Sequence, residues 1–94
     1  MTLSDLSNAV GGRFLNYDLP ASASFAQIAV ELSLVREGSA AFILTEDEVT
    51  ARRLIVLARK RGAAAVVSAV PPYFHNISCI LVENIFEALI RAGE

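Results

Sequence analysis

Few residues in this sequence have the type and spacing that chemistry requires. His75 is the only histidine. No cysteine–histidine cluster or H-x-x-x-H spacing accompanies it, so the pattern of a zinc site is missing, and His75 reads as an exposed loop residue. Cys79 is the only cysteine and lies in an apolar run. It reads as a packed thiol, since a nucleophile needs a base beside it in space. Glu46, Asp47 and Glu48 resemble a hard-metal cluster, but consecutive helical residues point in different directions, and helix capping explains them better. Gly11-Gly12 closes a helical stretch rather than opening one, and no G-K-[ST] follows, so no ATP-binding P-loop is present. Tyr73 and Phe74, next to Pro71-Pro72, suit either a stacking lip for a base or a hydrophobic loop anchor. No paired acid and base or activated nucleophile emerges, and the chain does not read as an independent small enzyme.

The elements that would position any such residue centre on Thr45 to Val70. Thr45-Glu46-Asp47-Glu48 is an S/T-x-x-E capping box, which predicts a helix with Thr45 as its cap, running to Arg61. Acids in the first turn and Arg59, Lys60 and Arg61 in the last suit the helix dipole. Gly62 supplies the left-handed stop. The helix should turn Val49, Leu54, Ile55, Leu57 and Ala58 inward. Ala63–Val70, small and β-branched and ended by Pro71-Pro72, predicts a buried strand. A helix leading directly into an apolar strand is the core of an α/β layer, and strands joined through it should be parallel neighbours.

Around this unit, Leu3, Leu6, Ala9 and Val10 follow helical spacing behind a Thr2 or Ser4 cap, and Gly11-Gly12 ends that helix. Arg13–Tyr17 is a short strand, and Asp18–Ser24 is a loop. In Phe25–Leu34 the set Ala26, Ile28, Val30, Leu32 and Leu34 is uniformly apolar at period two, which favours a strand over a helix. Val35–Gly38 is a turn, and Ser39–Leu44 a continuous apolar strand. Ile77–Val82 is another strand. A last helix, Ile85–Arg91, follows a cap at Glu83 or Asn84, with Ile85, Phe86, Leu89 and Ile90 as its apolar positions. The fold class is therefore α/β, a small mixed or parallel sheet packed with about three helices, in a single domain over 1–94. Its strand ends open at Glu31–Gly38 and Leu44–Thr50, where ligands of open α/β sheets bind.

Composition narrows the function classes. With 94 residues the chain is near the lower limit for a self-sufficient core. It is 54% hydrophobic and only 19% charged, which suggests a face that packs on a second domain, a second copy or a ligand. A net charge of -2 argues against a nucleic-acid surface. The basic residues gather on one helix, as a solvated face. A lone cysteine fits a reducing compartment. The start lacks a basic n-region and a long apolar core, and no apolar run approaches a membrane span. The expected location is the cytoplasm, with no membrane and no nucleic-acid partner.

The order of these pieces resembles the N-terminal domain of the Mur ligases, the ATP-dependent UDP-N-acetylmuramoyl-peptide ligases of bacterial cell-wall synthesis. Leu3-Ser4-Asp5-Leu6 through Gly11-Gly12-Arg13 looks like the family's opening helix and glycine turn. Ile28 to Leu44 is similar to its strand, D-S-R turn, glycine turn and L-F-V-A-type strand. Arg52 through Gly62-Ala63-Ala64-Ala65-Val66-Val67 resembles its helix and G-A-x-A-V-V strand. Ile80-Leu81-Val82-Glu83-Asn84 with Ala88-Leu89 looks like its closing V-x-V-x-D…A-L segment. The match covers nearly the whole chain.

The resemblance implies a domain that holds the uridine diphosphate end of a UDP-sugar peptide and is not catalytic alone. ATP and Mg would belong to a central domain, which the family places beyond about this point, so no cofactor is expected here. Its substrate contacts would be Ser33, Thr45, Thr50 and Asn84, as hydrogen-bond donors or acceptors. The contact motifs are partly degenerate: Glu31-Leu32-Ser33 stands where the family has D-S-R, and Glu46–Ala51 where it has G-x-x-x-D-G. Two alternatives accompany this reading. One is an interaction or oligomerisation module on the same fold. The other is the uridine-binding domain of UDP-3-O-acylglucosamine N-acyltransferases, which Ala41-Phe42-Ile43 and Val82-Glu83-Asn84 resemble.

Overall fold

Burial on both faces forces the apolar runs of this chain into the middle of a sheet. A computed structural model describes residues 1–72, 74 and 76–93; the sequence readings of Tyr73 and His75 fall outside them. In chain order the elements are α1 (Leu3–Val10), β1 (Arg13–Leu15), β2 (Ile28–Ala29), a 3-10 helix (Leu32–Leu34), β3 (Ala40–Phe42), α2 (Glu48–Lys60), β4 (Ala65–Ser68), β5 (Ser78–Leu81) and α3 (Ile85–Ala92). The five strands form one sheet in the order β1-β5-β4-β3-β2. Strands β2 to β5 are mutually parallel, and β1 runs antiparallel along β5. β3 and β4, joined through α2, are parallel neighbours with Ala41 opposite Val66.

Period-two alternation splits the core into two layers. Ala41, Ile43, Val66 and Cys79 face α2, where Ala51, Ile55 and Ala58 close over them. Ala40, Phe42, Val67 and Ile80 face the other way, onto Leu6 and Val10 of α1 and Ile85 and Ala88 of α3. Both layers are needed because a parallel sheet built of Val, Ala and Ile has no polar face to leave in water.

Capping fixes where the helices start. Thr2 and Asp5 form a reciprocal capping box on α1: Thr2 N–H donates to Asp5 Oδ2 at 2.9 Å, and Asp5 N–H to Thr2 Oγ1 at 3.2 Å. Gly11 ends α1 at φ +68°, a left-handed conformation that glycine adopts freely. Asn84 caps α3, its Oδ1 accepting from Phe86 and Glu87 N–H at 3.0 Å.

Four sequence expectations change. The cap of α2 is Asp47, whose carboxylate accepts from Thr50 N–H at 2.9 Å. Thr45 Oγ1 instead accepts from Asp47 N–H at 3.2 Å in the turn before it. An aspartate cap adds a full negative charge at the helix start, which a threonine cannot. α2 also seats differently: Ala51, Ile55 and Ala58 are buried, while Val49 and Leu57 are exposed. The ridge with two alanines is the one that can approach β4 closely.

Phe25–Leu34 is not one strand. Only Ile28 and Ala29 pair with β3, and the chain then turns into the 3-10 helix. Ala29 is buried whereas Ile28 and Leu34 are exposed. At a sheet edge with one neighbour, nothing holds the alternation over a longer stretch. Finally, α3 buries Ile85 and Ala88 and leaves Phe86 and Ile90 exposed. No helix among the described residues is long and apolar enough to cross a membrane.

Candidate functional site

The carboxyl ends of β2, β3, β4 and β5 lie along one rim of the sheet, because these strands are parallel. Two hollows open near it. The smaller, about 110 Å³, lies at the ends of β2 and β3. It is lined by Val30, Glu31, Leu32 and Val35 on one side and by Leu44 and Leu54 on the other. The larger, about 630 Å³, lies at the ends of β4 and β5. Its lining includes Gly12, Arg13, Val82, Asn84, Glu87 and Arg91.

Packing constraints shape the larger hollow. Gly12 presses so closely on β5 that an added β-carbon would stand 2.5 Å from Ile80 Cγ2 and 3.1 Å from the Leu81 carbonyl oxygen. Arg91 Nη2 pairs with Glu87 Oε1 at 2.9 Å, one turn back on α3. Arg91 Nη1 lies 2.6 Å from the point a β-carbon on Gly11 would occupy. The guanidinium therefore sits at the carboxyl end of α1, a helix with no basic residue in its own last turn, where a cation is favoured.

The four residues singled out from sequence separate into two groups. Ser33 is exposed on the 3-10 helix, and its hydroxyl donates to Glu31 Oε2 at 3.4 Å. Thr45 follows Leu44 at the end of β3 and is occupied by the Asp47 amide. Thr50 is exposed in the first turn of α2. These three flank the small hollow in sequence without lining it. Asn84 lines the large hollow. Two strand spacings, about 10 Å, separate the ends of β3 and β5, so Asn84 does not join the other three around one small ligand.

Sequence reasoning named none of Gly12, Arg13, Glu87 and Arg91 as a site residue. The only signals available were the doubled glycine and the Glu87–Arg91 spacing of i, i+4. Neither says which strand or helix they meet.

Electrostatics offers little chemistry at either hollow. Hydrogen bonding from Thr50, side chain first and backbone second, holds the Asp47 carboxyl below its ordinary value. Burial pushes the Cys79 thiol up to about 12, so it stays protonated and inert near neutrality. Among the described residues, no group of three or more His, Cys, Asp or Glu is placed to hold a metal ion.

No protein-family model matches the sequence, and no curated protein matches it. Solved structures do. One crystal structure of MurF from Acinetobacter baumannii superposes with a TM-score of 0.80 at 18% identity, covering 98% of this chain and 20% of that one. A second gives 0.78 at 18% identity, over 96% and 19%. A structure titled UDP-N-acetylmuramoylalanyl-D-glutamyl-2,6-diaminopimelate–D-alanyl-D-alanyl ligase, from the same organism, gives 0.78 at 18% identity, over 96% and 20%. The chain thus has a Mur ligase domain fold, and it spans about a fifth of the length of the structures it matches.

Proposed function

We infer that this chain, folded like about a fifth of MurF, is a nucleotide-sugar-binding domain of the Mur-ligase type. Its role would be to hold the uridine end of a UDP-N-acetylmuramoyl-peptide while chemistry happens elsewhere. Any ATP and Mg would be bound outside these 94 residues.

The observation that carries the reading is the small hollow at the ends of β2 and β3. At about 110 Å³ it is below the usual range for a whole small-molecule ligand, about 300–1,000 Å³. It suits one planar ring. Leu32, Val35 and Leu54 supply the apolar walls, and Glu31 supplies a carboxylate. A carboxylate accepts from a ring N–H, as the imide of uracil offers. Ser33, Thr45 and Thr50 stand on the flanking segments as hydroxyl partners for ribose. The acids at Glu46, Asp47 and Glu48 lie on the route a diphosphate would take, so binding is expected to be weak.

Calorimetric titration of the chain with UDP and with UDP-N-acetylmuramoyl-peptide tests this, alongside amide NMR. Shifts should concentrate at residues 30–35 and 43–50. A Ser33→Ala variant should weaken binding a few-fold. Neither heat nor shift at millimolar ligand removes the reading.

A further inference from the structure

Helix α2 turns one stripe outward. Val49, Val56 and Leu57 on it are 69%, 41% and 36% exposed, with the exposed Arg53 and Lys60 among and after them. At 3.6 residues per turn, Val49, Arg53, Val56 and Lys60 fall along one line, opposite the Ala51–Ile55–Ala58 face that sits on the sheet. Charge is sorted along this segment: Glu46 and the cap Asp47 stand just before the helix, Glu48 in its first turn, Arg59 and Lys60 in its last, and Arg61 at its C-cap. Glu48 already pairs with Arg52 at 2.7 Å, and Arg59 Nε donates to the Asn76 carbonyl at 3.1 Å. Among the described residues, Glu46, Arg53 and Lys60 have no ion pair.

A strip that is acidic at one end, apolar on either side of a central Arg53 and basic at the other complements itself only when reversed. We propose that two copies of this chain pair through α2, antiparallel across a twofold axis close to Arg53. Such an interface is isologous, so every contact occurs twice. Glu46 of one copy faces Lys60 of the other, and Val49 of one faces Val56 and Leu57 of the other. The two Arg53 side chains meet near the axis. Their stems cover the apolar strip while their guanidinium groups turn outward to water.

The geometry also sets the strength. Thirteen residues give a helix about 20 Å long, so the strip is smaller than the roughly 800 Å² per partner of a stable complex. The like charges at Arg53 weaken it further. The pair is therefore a weak dimer that loosens with added salt. The exposed Phe86 and Ile90 of α3 offer a competing apolar face, but the charges of that helix, Glu87 and Arg91, already pair with each other at 2.9 Å.

Sedimentation equilibrium from micromolar to millimolar protein tests it, with circular dichroism melts to show that each variant is folded. The wild-type chain should shift reversibly toward dimer. Glu46→Lys and Lys60→Glu should each weaken dimerisation by about tenfold, since each acts on two symmetric pairs. The double variant Glu46→Lys with Lys60→Glu should return to near the wild-type constant. Val56→Asp should abolish the dimer, and Arg53→Leu should tighten it. A chain that stays monomeric throughout overturns the proposal. So does a dimer that survives Val56→Asp, or is lost on Ile90→Asp instead, or is not restored by the double charge exchange.

Discussion

Gly12 and Ile80 meet across the β1–β5 edge with no room for a β-carbon: one added at Gly12 would lie 2.5 Å from Ile80 Cγ2. Val82 Cγ1 and the Leu81 carbonyl oxygen stand at 3.1 Å from the same point. Atoms from three consecutive residues, the last two of β5 and Val82 just after it, therefore exclude any side chain at position 12. The close approach is what lets the α1–β1 turn reach the end of β5 and form one wall of the large hollow.

Gly12→Ala should accordingly destabilise the fold. Overpacking of this kind costs about 1–3 kcal/mol, read as a lower midpoint in urea unfolding. Replacing Ile80 by Leu, which has no Cγ2, in the Gly12→Ala background should recover part of that loss, because the two sites are in direct contact. An unchanged midpoint for Gly12→Ala would mean that β1 is not held against β5 as described.

Two exposed aspartates tie stability to acid. Asp5 is held below its ordinary value by Thr2, backbone hydrogen bond first and side chain second. Asp47 is held down by Thr50. A depressed carboxyl binds fewer protons in the folded chain than in the unfolded one, so its contribution is present above the unfolded value. It is lost as pH falls below the ordinary aspartate range near 4 and through the folded value. Asp5→Asn and Asp47→Asn should flatten the fall in melting temperature on acidification from about pH 5 to pH 2. Thr45→Ala should leave that profile unchanged, because the α2 cap belongs to Asp47.

Cys79 should be chemically silent in the folded chain. It is fully buried and its thiol is raised to about 12 by burial. Only the thiolate reacts, so labelling by a disulfide reagent at pH 8 should proceed at the rate of unfolding and accelerate in urea with the unfolding transition. Prompt labelling in native buffer would contradict its place in the layer between β5 and α2.

Legibility in the sequence differed from element to element for physical reasons. β3, β4 and β5 could be read because they are buried on both sides, and an unbroken apolar run of that length has few other uses. β2 could not: the alternation from Phe25 to Leu34 was real in the residues, but an edge position with one neighbour enforced only two of them. The caps of α1 and α3 were narrowed to Thr2 or Ser4 and to Glu83 or Asn84, because a cap bonds amides two or three residues away, and Thr2 and Asn84 are the ones that do so. At α2 the capping-box pattern pointed to Thr45, whereas the extended backbone and the Thr50 amide make Asp47 the cap. Of the residues singled out, Asn84 lines the hollow at the ends of β4 and β5, whereas Ser33, Thr45 and Thr50 line neither hollow and lie about two strands away.

What the sequence determined alone is local: where the helices and the fully buried strands run, and where glycine must turn the chain. These depend on residues within a few positions of one another. The order β1-β5-β4-β3-β2, the side of α2 that meets the sheet, and the meeting of Gly12 with Ile80 or Arg91 with Gly11 were decided only in three dimensions. They depend on which surfaces fit closely enough to exclude water, and shape complementarity between distant segments leaves no periodic trace along the chain.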